Sequence, residues 1–177
     1  VIILDKAEKE QHTVASVNMF VNLPHQFKGT HMSRFLEILN QFHGRIDLKI
    51  FRTILEQMKE KLHAEAAHLE IEFPFFIEVD HAIQARKKCY NCRMHGSIDD
   101  VEDFYLELTI PYEFSRKLKS KEAQLYHGNM RAMVRFNRFI WIEDIVLLIE
   151  ETIAKCCFIN EDDELLMLEK ITDVLYE

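Results

Sequence analysis

The sequence contains few of the residues that interrupt regular structure, with 4 glycines and 3 prolines among 177 residues. No stretch rich in glycine, serine or proline marks a linker, which argues against separate domains joined by a long tether. Long apolar runs are also missing, because the longest, Ile145 to Ile149, is far shorter than the roughly 20 residues that span a bilayer. Since no secretory signal is visible either, we expect a cytoplasmic protein without a membrane partner.

A basic surface and a disulfide framework are lacking as well. The formal charge is −8, so we expect no nucleic-acid partner, because sequence-independent binding needs a basic face that displaces counterions. The four cysteines form two close pairs, Cys89 with Cys92 and Cys156 with Cys157, unlike the spacing in secreted disulfide-rich proteins. Cys89-x-x-Cys92 has a zinc-ligand spacing, but adjacent cysteines seldom bind one metal together, so strand and helix positions are the simpler interpretation.

The first half of the chain shows the periodicities of both strands and helices. Polar and apolar residues alternate from Thr13 to Leu23, which predicts a strand with one apolar face. Two amphipathic helices follow, of which the first stops at Gly44 and the second is capped by Asp47. In chain order, the predicted elements are a strand at 2–4 that pairs with a strand at 13–23, helices at 32–44 and 48–62, and strands at 69–75 and 88–95.

The second half repeats the opening of that order and then stops. Its predicted elements are strands at 104–112 and 132–140 and helices at 142–155 and 163–176. The pattern predicts two ββααββ-like modules, over residues 1–98 and 99–177, the second lacking its last strands. Such modules indicate an α+β fold with antiparallel sheets and helices on one face. Because exposed sheet edges need cover, we expect subunits to associate side by side into a barrel.

Eight consecutive residues from Lys28 to Phe35 carry the most specific signal, Lys-Gly-Thr-His-Met-Ser-Arg-Phe, and follow a predicted strand that ends in Leu23-Pro24. The segment resembles the same eight residues of type IB GTP cyclohydrolases, which also follow a strand ending in Leu-Pro. Residues 73–76, Phe-Pro-Phe-Phe, and 141–144, Trp-Ile-Glu-Asp, are similar to family sequences too. The resemblance therefore covers nearly the whole chain.

The resemblance implies a tunnelling fold (T-fold) and a homo-oligomer, either a dimer or a tetramer. It implies an enzyme of folate biosynthesis that opens the imidazole ring of GTP, releases C8 as formate and closes the product to 7,8-dihydroneopterin triphosphate. Such chemistry needs a divalent metal, here zinc, manganese or iron, that lowers the pKa of a bound water so that it attacks C8. A nearby acid or base transfers protons, and basic or polar groups hold the triphosphate.

Three residues of the matching segment, His31, Ser33 and Arg34, are candidate substrate-binding residues. They stand where a loop enters a predicted helix, and the N-terminus of a helix favours anions. Arg34 suits a phosphate group. A simpler interpretation stays open, in which His31 and Ser33 cap the helix and Arg34 is a solvated surface charge.

The metal ligands of the family match this chain in part. In an alignment without gaps from Ile110-Pro111, the family's metal-binding cysteine falls on Leu118 and its metal-binding histidine on Gly128. His127 is one residue away, so a small loop shift makes it a candidate ligand, with an exposed loop histidine as the alternative. Arg131 matches a family arginine and is a candidate substrate-binding residue, or a brace for the loop.

A third family ligand is a glutamate in a Glu-Lys-x-Val-Thr-Glu-like stretch, which residues 169–173, Glu-Lys-Ile-Thr-Asp, resemble. Glu169 is therefore the second candidate metal ligand, with Glu164 as its rival. The simpler interpretation is that both are surface carboxylates on an acidic helix.

No competing catalytic motif is present, because the sequence has no HExxH pair, no glycine-rich phosphate loop and no nucleophile elbow. Two other hypotheses stay open. One is a catalytically degenerate member of the family that binds a purine or pterin or forms oligomers, which the missing thiolate favours. The other is a different T-fold enzyme that acts on a purine or pterin.

Overall fold

Eight strands and three helices form within the residues that the computed structural model describes, which are 1–6, 9–25, 32–79, 86–117, 123–136 and 138–157. In chain order they are β1 (Ile2–Asp5), β2 (Lys9–His12), β3 (Ser16–Asn22), α1 (Met32–Asn40), β4 (Arg45–Ile46), α2 (Leu48–Lys61), β5 (Ala66–Val79), β6 (Arg86–Ile98), β7 (Glu102–Lys117), β8 (Ala123–Arg135) and α3 (Ile142–Cys157).

Five of the strands form the main sheet, in the order β3-β5-β6-β7-β8. β3 pairs antiparallel with β5 from Ser16 opposite Glu72 to Asn22 opposite Ala66, and β5 pairs antiparallel with β6 along nearly its whole length. The alternation of Leu69, Ile71 and Phe73 explains β5, since these three side chains point to one face and are buried. The predicted α+β class with antiparallel sheets is confirmed.

Helix α2 supplies one half of the core in the first part of the chain. Its stripe of Phe51, Ile54, Leu55 and Met58 is fully buried, and the helix contacts β5 and β6. Gly96 of β6 lies directly below this stripe, because a Cβ atom added there would overlap Phe51 Cε1 and lie 2.7 Å from Leu55 Cδ1. The helix therefore approaches the sheet at a position where only a hydrogen atom fits.

The start of α2 follows its local sequence signal, whereas the end of α1 does not. Asp47 caps α2 as predicted, because its carboxylate accepts a hydrogen bond of 2.7 Å from the backbone N–H of Ile50. Helix α1 ends at Asn40, earlier than the predicted stop at Gly44. His43 and Gly44 have φ angles of 50° and 75°, so the left-handed backbone that glycine favours lies in the turn after the helix rather than at its end.

The predicted partner of the strand at 13–23 is wrong. Residues 2–4 belong to β1, which pairs antiparallel with β2 and parallel with β4 in a separate three-stranded sheet, β2-β1-β4. The reason is proximity along the chain, since the turn after Asp5 brings β2 back beside β1. The backbone N–H of Ile2 also donates to the carbonyl of Gly44 at 2.7 Å, which holds β1 beside β4.

The predicted strand at 132–140 is displaced along the chain. β8 covers Ala123–Arg135, so residues 123–131, which were expected to form a loop, are strand residues. Residues 138–140 are not in a strand and lead into α3. The sequence Ala-Gln-Leu-Tyr-His-Gly-Asn at the start of β8 mixes polar and apolar residues at both odd and even positions, so the alternation that predicts a strand is missing there.

The chain divides into two compact units, residues 1–108 with 133–139, and residues 109–132 with 140–177. In the first unit, helices α1 and α2 accompany the strands already described. In the second unit, α3 is amphipathic and buries Ile145, Val146, Ile149 and Ile153. The predicted helix at 163–176 lies outside the described residues, and the predicted modules at 1–98 and 99–177 stay a prediction.

Candidate functional site

Two of the candidate substrate-binding residues lie at the start of helix α1. Ser33 and Arg34 are in its first turn, both side chains are exposed, and no acidic residue occupies that turn. The N–H groups at this helix end therefore have no neighbouring carboxylate of the same turn to compete with a bound anion. His31, the third candidate of this segment, lies outside the described residues.

His127 lies in strand β8 and not in a loop. Its Nδ1 is 3.2 Å from Oε1 of Glu113 in β7, and both side chains are about two-thirds exposed, at 63% and 67%. A carboxylate beside one ring nitrogen fixes how the imidazole points and leaves the other nitrogen, Nε2, directed away. The pair is accessible to solvent and to a ligand.

Gly128, where the resemblance predicts the family's histidine position, faces the opposite side of β8 from His127 because successive strand residues alternate. A Cβ atom added to Gly128 would lie 2.5 Å from both Cζ and Oη of Tyr112 and 2.8 Å from its Cε1. The Tyr112 ring therefore fills the space that any larger side chain at position 128 would take. No small shift brings His127 into that space, because His127 projects the other way.

Arg131 lies four residues after His127 on the same strand, so the two side chains leave the same face of β8, about 13 Å apart along it. Both are exposed, and Arg131 also takes part in an interaction within the protein. The structure thus places a histidine and an arginine of the candidate set on one strand face. Ser33 and Arg34 belong to the other compact unit.

The remaining metal candidates, Glu169 and Glu164, lie outside the described residues. Within the described ranges, no group of three or more histidine, cysteine, aspartate or glutamate side chains is placed to hold a metal ion. Cys89 is exposed whereas Cys92 is buried, because residues three apart on β6 point to opposite faces. A zinc site built from this cysteine pair is therefore incompatible with the strand.

A feature that the sequence analysis missed is a row of polar side chains across the sheet in the first unit. Asn18 Nδ2 donates to Glu70 Oε1 at 3.2 Å, and Glu70 Oε2 is 3.4 Å from His95 Nδ1. The His95 ring stacks on Tyr105 with centroids 4.3 Å apart, and the Arg135 guanidinium lies 5.8 Å from the Tyr105 centroid. Each of the five strands contributes one residue, so only the strand order could have predicted the row.

Arg93 stands beside this row and forms ion pairs with three carboxylates on the same face of the sheet. Its Nη2 is 2.8 Å from Glu72, and the guanidinium also comes within 3.8 Å of Glu70 and 4.0 Å of Glu107. The hydrogen bond to Glu72 raises the pKa of Arg93 above its ordinary value, with smaller contributions from the three carboxylates, against an opposing effect of burial. The sheet face therefore carries a fixed positive charge surrounded by acidic groups.

A cleft of about 730 Å³ opens in the first unit beside the start of α2. Phe104, Phe136 and Phe139 are among the side chains that line it. Its charged side chains include the pairs Arg52 with Glu102 at 2.6 Å and Arg135 with Asp103 at 2.9 Å. The candidate residues Ser33, Arg34, His127 and Arg131 do not line this cleft.

The family model and the similar curated proteins agree on one family for this chain. The family model described as "GCHY-1: Type I GTP cyclohydrolase folE2" matches residues 1–170. The chain is 46% identical over 158 residues to a protein of Syntrophobacter fumaroxidans named "GTP cyclohydrolase FolE2", a match that covers 85% of this chain and 62% of that protein. It is 38% identical over 181 residues to the protein of the same name from Syntrophotalea carbinolica, covering 98% of this chain and 68% of that protein.

The chain thus spans about three fifths of the length of the Syntrophobacter protein, and the same share, 62%, of a Syntrophus aciditrophicus protein of the same name that is 42% identical. Among solved structures, uricase from Arthrobacter globiformis has a similar fold, with a TM-score of 0.60, 10% identity and coverage of 99% of this chain and 73% of that chain. That likeness concerns the fold alone and agrees with the predicted tunnelling fold. No helix in the described ranges is long and apolar enough to cross a membrane.

Proposed function

The chain belongs to the type I GTP cyclohydrolase FolE2 family, and from that membership we propose that it converts GTP and water to 7,8-dihydroneopterin triphosphate and formate, the first step of folate biosynthesis. One water adds at C8 and opens the ring, a second water cleaves the remaining bond from C8 to nitrogen so that C8 leaves as formate, and the freed amine condenses with a carbonyl of the rearranged ribose chain, which closes the new ring and returns one water. The observation that carries the proposal is that the family match runs from residue 1 to residue 170 and so includes strands and helices of both units.

A divalent cation fits the donor chemistry at His127. The imidazole has a carboxylate beside Nδ1, which is the arrangement of many metal-binding histidines, and Nε2 points away from that carboxylate. We assign His127 and Glu169 as the residues that hold the cation, with Glu164 as the rival of Glu169. When bound, the cation lowers the pKa of a coordinated water and so supplies the nucleophile at neutral pH.

Zinc, manganese and iron are the candidate cations. Leu118 stands where the alignment places the family's metal-binding cysteine, so this position offers no thiolate. Imidazole suits zinc and iron, and carboxylate suits manganese, so a site of nitrogen and oxygen donors has less preference for zinc than a site with sulfur. The metal is therefore to be identified by experiment.

The substrate is proposed to be held by His31, Ser33, Arg34 and Arg131. The exposed N-terminus of α1, without acidic residues in its first turn, favours the triphosphate, and Arg34 adds a permanent positive charge there. Arg131 shares a strand face with His127, so it can contact a substrate whose reacting atom is at the cation.

A homo-oligomer, either a dimer or a tetramer, is part of the proposal. The sheet order ends in β3 on one side and β8 on the other, so among the described strands these two have an unpaired edge in a single chain. Pairing with another subunit satisfies such edges and protects them from non-specific association. We further propose that this oligomer is cytoplasmic.

A second candidate is a protein of the same family that binds a purine or pterin without turnover. The space at Gly128 favours it, since Tyr112 leaves no room for a side chain there. The resemblance adds that Leu118, which has no donor atom, stands at the expected position of the family's cysteine. Loss of two ligands weakens cation binding, and with it the supply of hydroxide at neutral pH.

Turnover separates the two candidates. The protein is stripped with a chelator, zinc, manganese or iron is added back, and formate and pterin fluorescence are measured after addition of GTP. We expect turnover that depends on the added metal. Binding of GTP without formate under every metal condition would instead support the binding protein, and absence of both would refute the proposed substrate.

A further inference from the structure

The cleft beside the start of α2 has the size of a small-molecule site and has no role in the proposed function. Its volume of about 730 Å³ lies within the range of about 300 to 1,000 Å³ that is usual for ligand pockets. All of its lining residues belong to the first unit. The described residues that are assigned to GTP or to the cation do not line it. The cleft is therefore available to a ligand other than the substrate.

Aromatic side chains of the cleft are held in place by the surrounding structure. Phe104 packs edge-on against the fully buried ring of Phe51, with ring centroids 6.3 Å apart and an angle of 71° between the rings. The backbone N–H of Phe136 donates to the carbonyl of Phe104 at 3.2 Å, which makes these two lining residues neighbours. Phe139 also lines the cleft and is 47% exposed. Rings that are fixed in advance bind a planar aromatic molecule at little cost in ordering.

The carboxylates that line the cleft already have partners. Glu102 pairs with Arg52 at 2.6 Å, and Asp103 accepts two hydrogen bonds from Arg135, at 2.9 and 3.3 Å. Asp47 accepts a hydrogen bond of 2.7 Å from the backbone in the first turn of α2. Among the described lining residues, no carboxylate is left to attract a cationic ligand.

Lys49 carries a positive charge that the cleft does not neutralise. Its exposed side chain lines the cleft from the first turn of α2. In the part of the chain that the structure describes, no carboxylate lies within ion-pair distance of its ammonium group. A charge without a partner in the protein favours an opposite charge on the ligand.

From the aromatic rings and the unpaired ammonium group we propose that the cleft binds a small planar aromatic anion. The ring of this ligand lies against Phe104, Phe136 and Phe139, and its acidic group pairs with Lys49. The ion pair between Arg52 and Glu102 joins α2 to β7 at one wall, so the site is formed before the ligand arrives. The inference goes beyond the proposed function and does not rest on it.

The first test compares two probes that differ in charge. Anilinonaphthalene sulfonate is a planar aromatic anion whose fluorescence rises in an apolar site, and phenylnaphthylamine has the same rings without the sulfonate. Both are titrated into wild-type protein and Lys49→Gln. We expect Lys49→Gln to lose about tenfold in affinity for the sulfonate, the effect of one charge-assisted hydrogen bond, and to keep its affinity for the neutral probe. No binding of the sulfonate by the wild type, or an equal change for both probes, would overturn the proposal.

Lys61→Gln is the matched control for charge. Lys61 is an exposed lysine in the last turn of the same helix, and it does not line the cleft. We expect Lys61→Gln to bind the sulfonate as the wild type does. An equal loss in Lys49→Gln and Lys61→Gln would mean a general effect of protein charge and would count against a site at Lys49.

Phe139→Ser tests the aromatic surface. We expect it to lose about two- to tenfold in affinity for both probes, the effect of one aromatic contact. Phe20→Ser is the control, because Phe20 is 60% exposed on β3 and lies outside the cleft. Thermal unfolding shows whether each variant keeps its fold, and Phe139→Leu replaces Phe139→Ser if the latter unfolds. Equal losses in the variants at positions 139 and 20 would show general binding to exposed apolar surface and would refute the proposal.

Two other occupants are tested with the wild-type protein. We expect saturating GTP to leave the sulfonate probe bound, since displacement by GTP would make the cleft part of the substrate site and overturn a separate ligand. Light scattering follows the size of the protein during the titration. Probe affinity that falls as the protein associates would assign the cleft to an interface between copies and would overturn the proposal as well. Formate release from GTP reports on the proposed function independently.

Discussion

The side-chain amide of Gln11 forms both hydrogen bonds to the backbone of Phe76, with Nε2 donating to the carbonyl at 2.8 Å and Oε1 accepting from the N–H at 2.7 Å. These two bonds take the place of the backbone hydrogen bonds that a neighbouring strand would form with Phe76, because β3 pairs with β5 only as far as Glu72. Thr13 Oγ1 donates in the same way to the carbonyl of Pro74 at 2.9 Å. The edge of β5 is thus covered by side chains where no strand continues.

We expect Gln11→Ala to destabilise the protein by about 1 to 2 kcal/mol, since two backbone groups lose their partners and must be solvated. Urea unfolding followed by circular dichroism measures the change. Gln57→Ala, which removes an amide oxygen that accepts an exposed hydrogen bond of 3.2 Å from the Lys61 ammonium, is the control and should change stability by less than about 0.5 kcal/mol. Equal midpoints for the two variants would contradict the role of Gln11.

Gly96→Ala should destabilise the fold by about 1 to 3 kcal/mol, because the added methyl group overlaps Phe51 and Leu55 and pushes α2 away from the sheet. Thermal unfolding measures this loss. Ser97→Ala, at the next residue and on the other face, is the control. A second change, Leu55→Ala, creates space, so the double variant should be more stable than the sum of the two single losses predicts.

The carboxylate of Asp99 accepts hydrogen bonds from the N–H groups of Asp100 and Val101, and these bonds lower the pKa of Asp99 below its ordinary value of 3.8. A group with a lowered pKa in the folded state stabilises the fold above its unfolded pKa and loses that contribution as the pH falls through the folded value. We therefore expect Asp99→Asn to flatten the decline of stability below about pH 4. Urea midpoints across that range test this, and an unchanged slope in Asp99→Asn would contradict the contribution of these two hydrogen bonds.

Arg34→Ala should weaken GTP binding by about tenfold or more, the effect of losing a charge-assisted hydrogen bond to phosphate. Fluorescence titration or calorimetry with GTP measures the affinity. Arg45→Ala, which removes an exposed arginine paired with Glu10 at 2.8 Å, is the control for net charge. If both variants bind GTP as the wild type does, Arg34 is a solvated surface charge.

His127→Ala and Glu169→Ala should each abolish turnover while leaving the oligomer intact, because each removes a proposed metal ligand. Metal content by mass spectrometry and oligomer size by light scattering are measured on the same samples. Unchanged metal content in both variants would refute the ligand assignment even if turnover falls.

The elements that local sequence determines were predicted well. The stripe of Phe51, Ile54 and Met58 and the cap at Asp47 define α2 without reference to the rest of the chain. The same is true of β5, whose alternation reflects burial on one face. Such patterns depend on nearest neighbours along the helix or strand, which the sequence shows directly.

Features that depend on pairing could not be predicted in this way. The partner of β1 and the start of β8 depend on which strands meet, and the first residues of β8, Ala-Gln-Leu-Tyr, do not alternate between polar and apolar. The environment of His127 is another case, because neither Glu113 nor Tyr112 is near it in sequence. The resemblance gave the candidate residues, and only the strand pairing shows which of them share a face.

The alternation along β8 also affects how this chain should be compared with its relatives. Positions 127 and 128 are adjacent in sequence, yet in a strand adjacent positions are the least interchangeable, since they belong to different surfaces of the sheet. A histidine that moves by one residue between homologues has changed sides. Residues of this strand should therefore be compared with residues of relatives that point to the same face of the sheet, even where a residue on the other face is nearer in sequence.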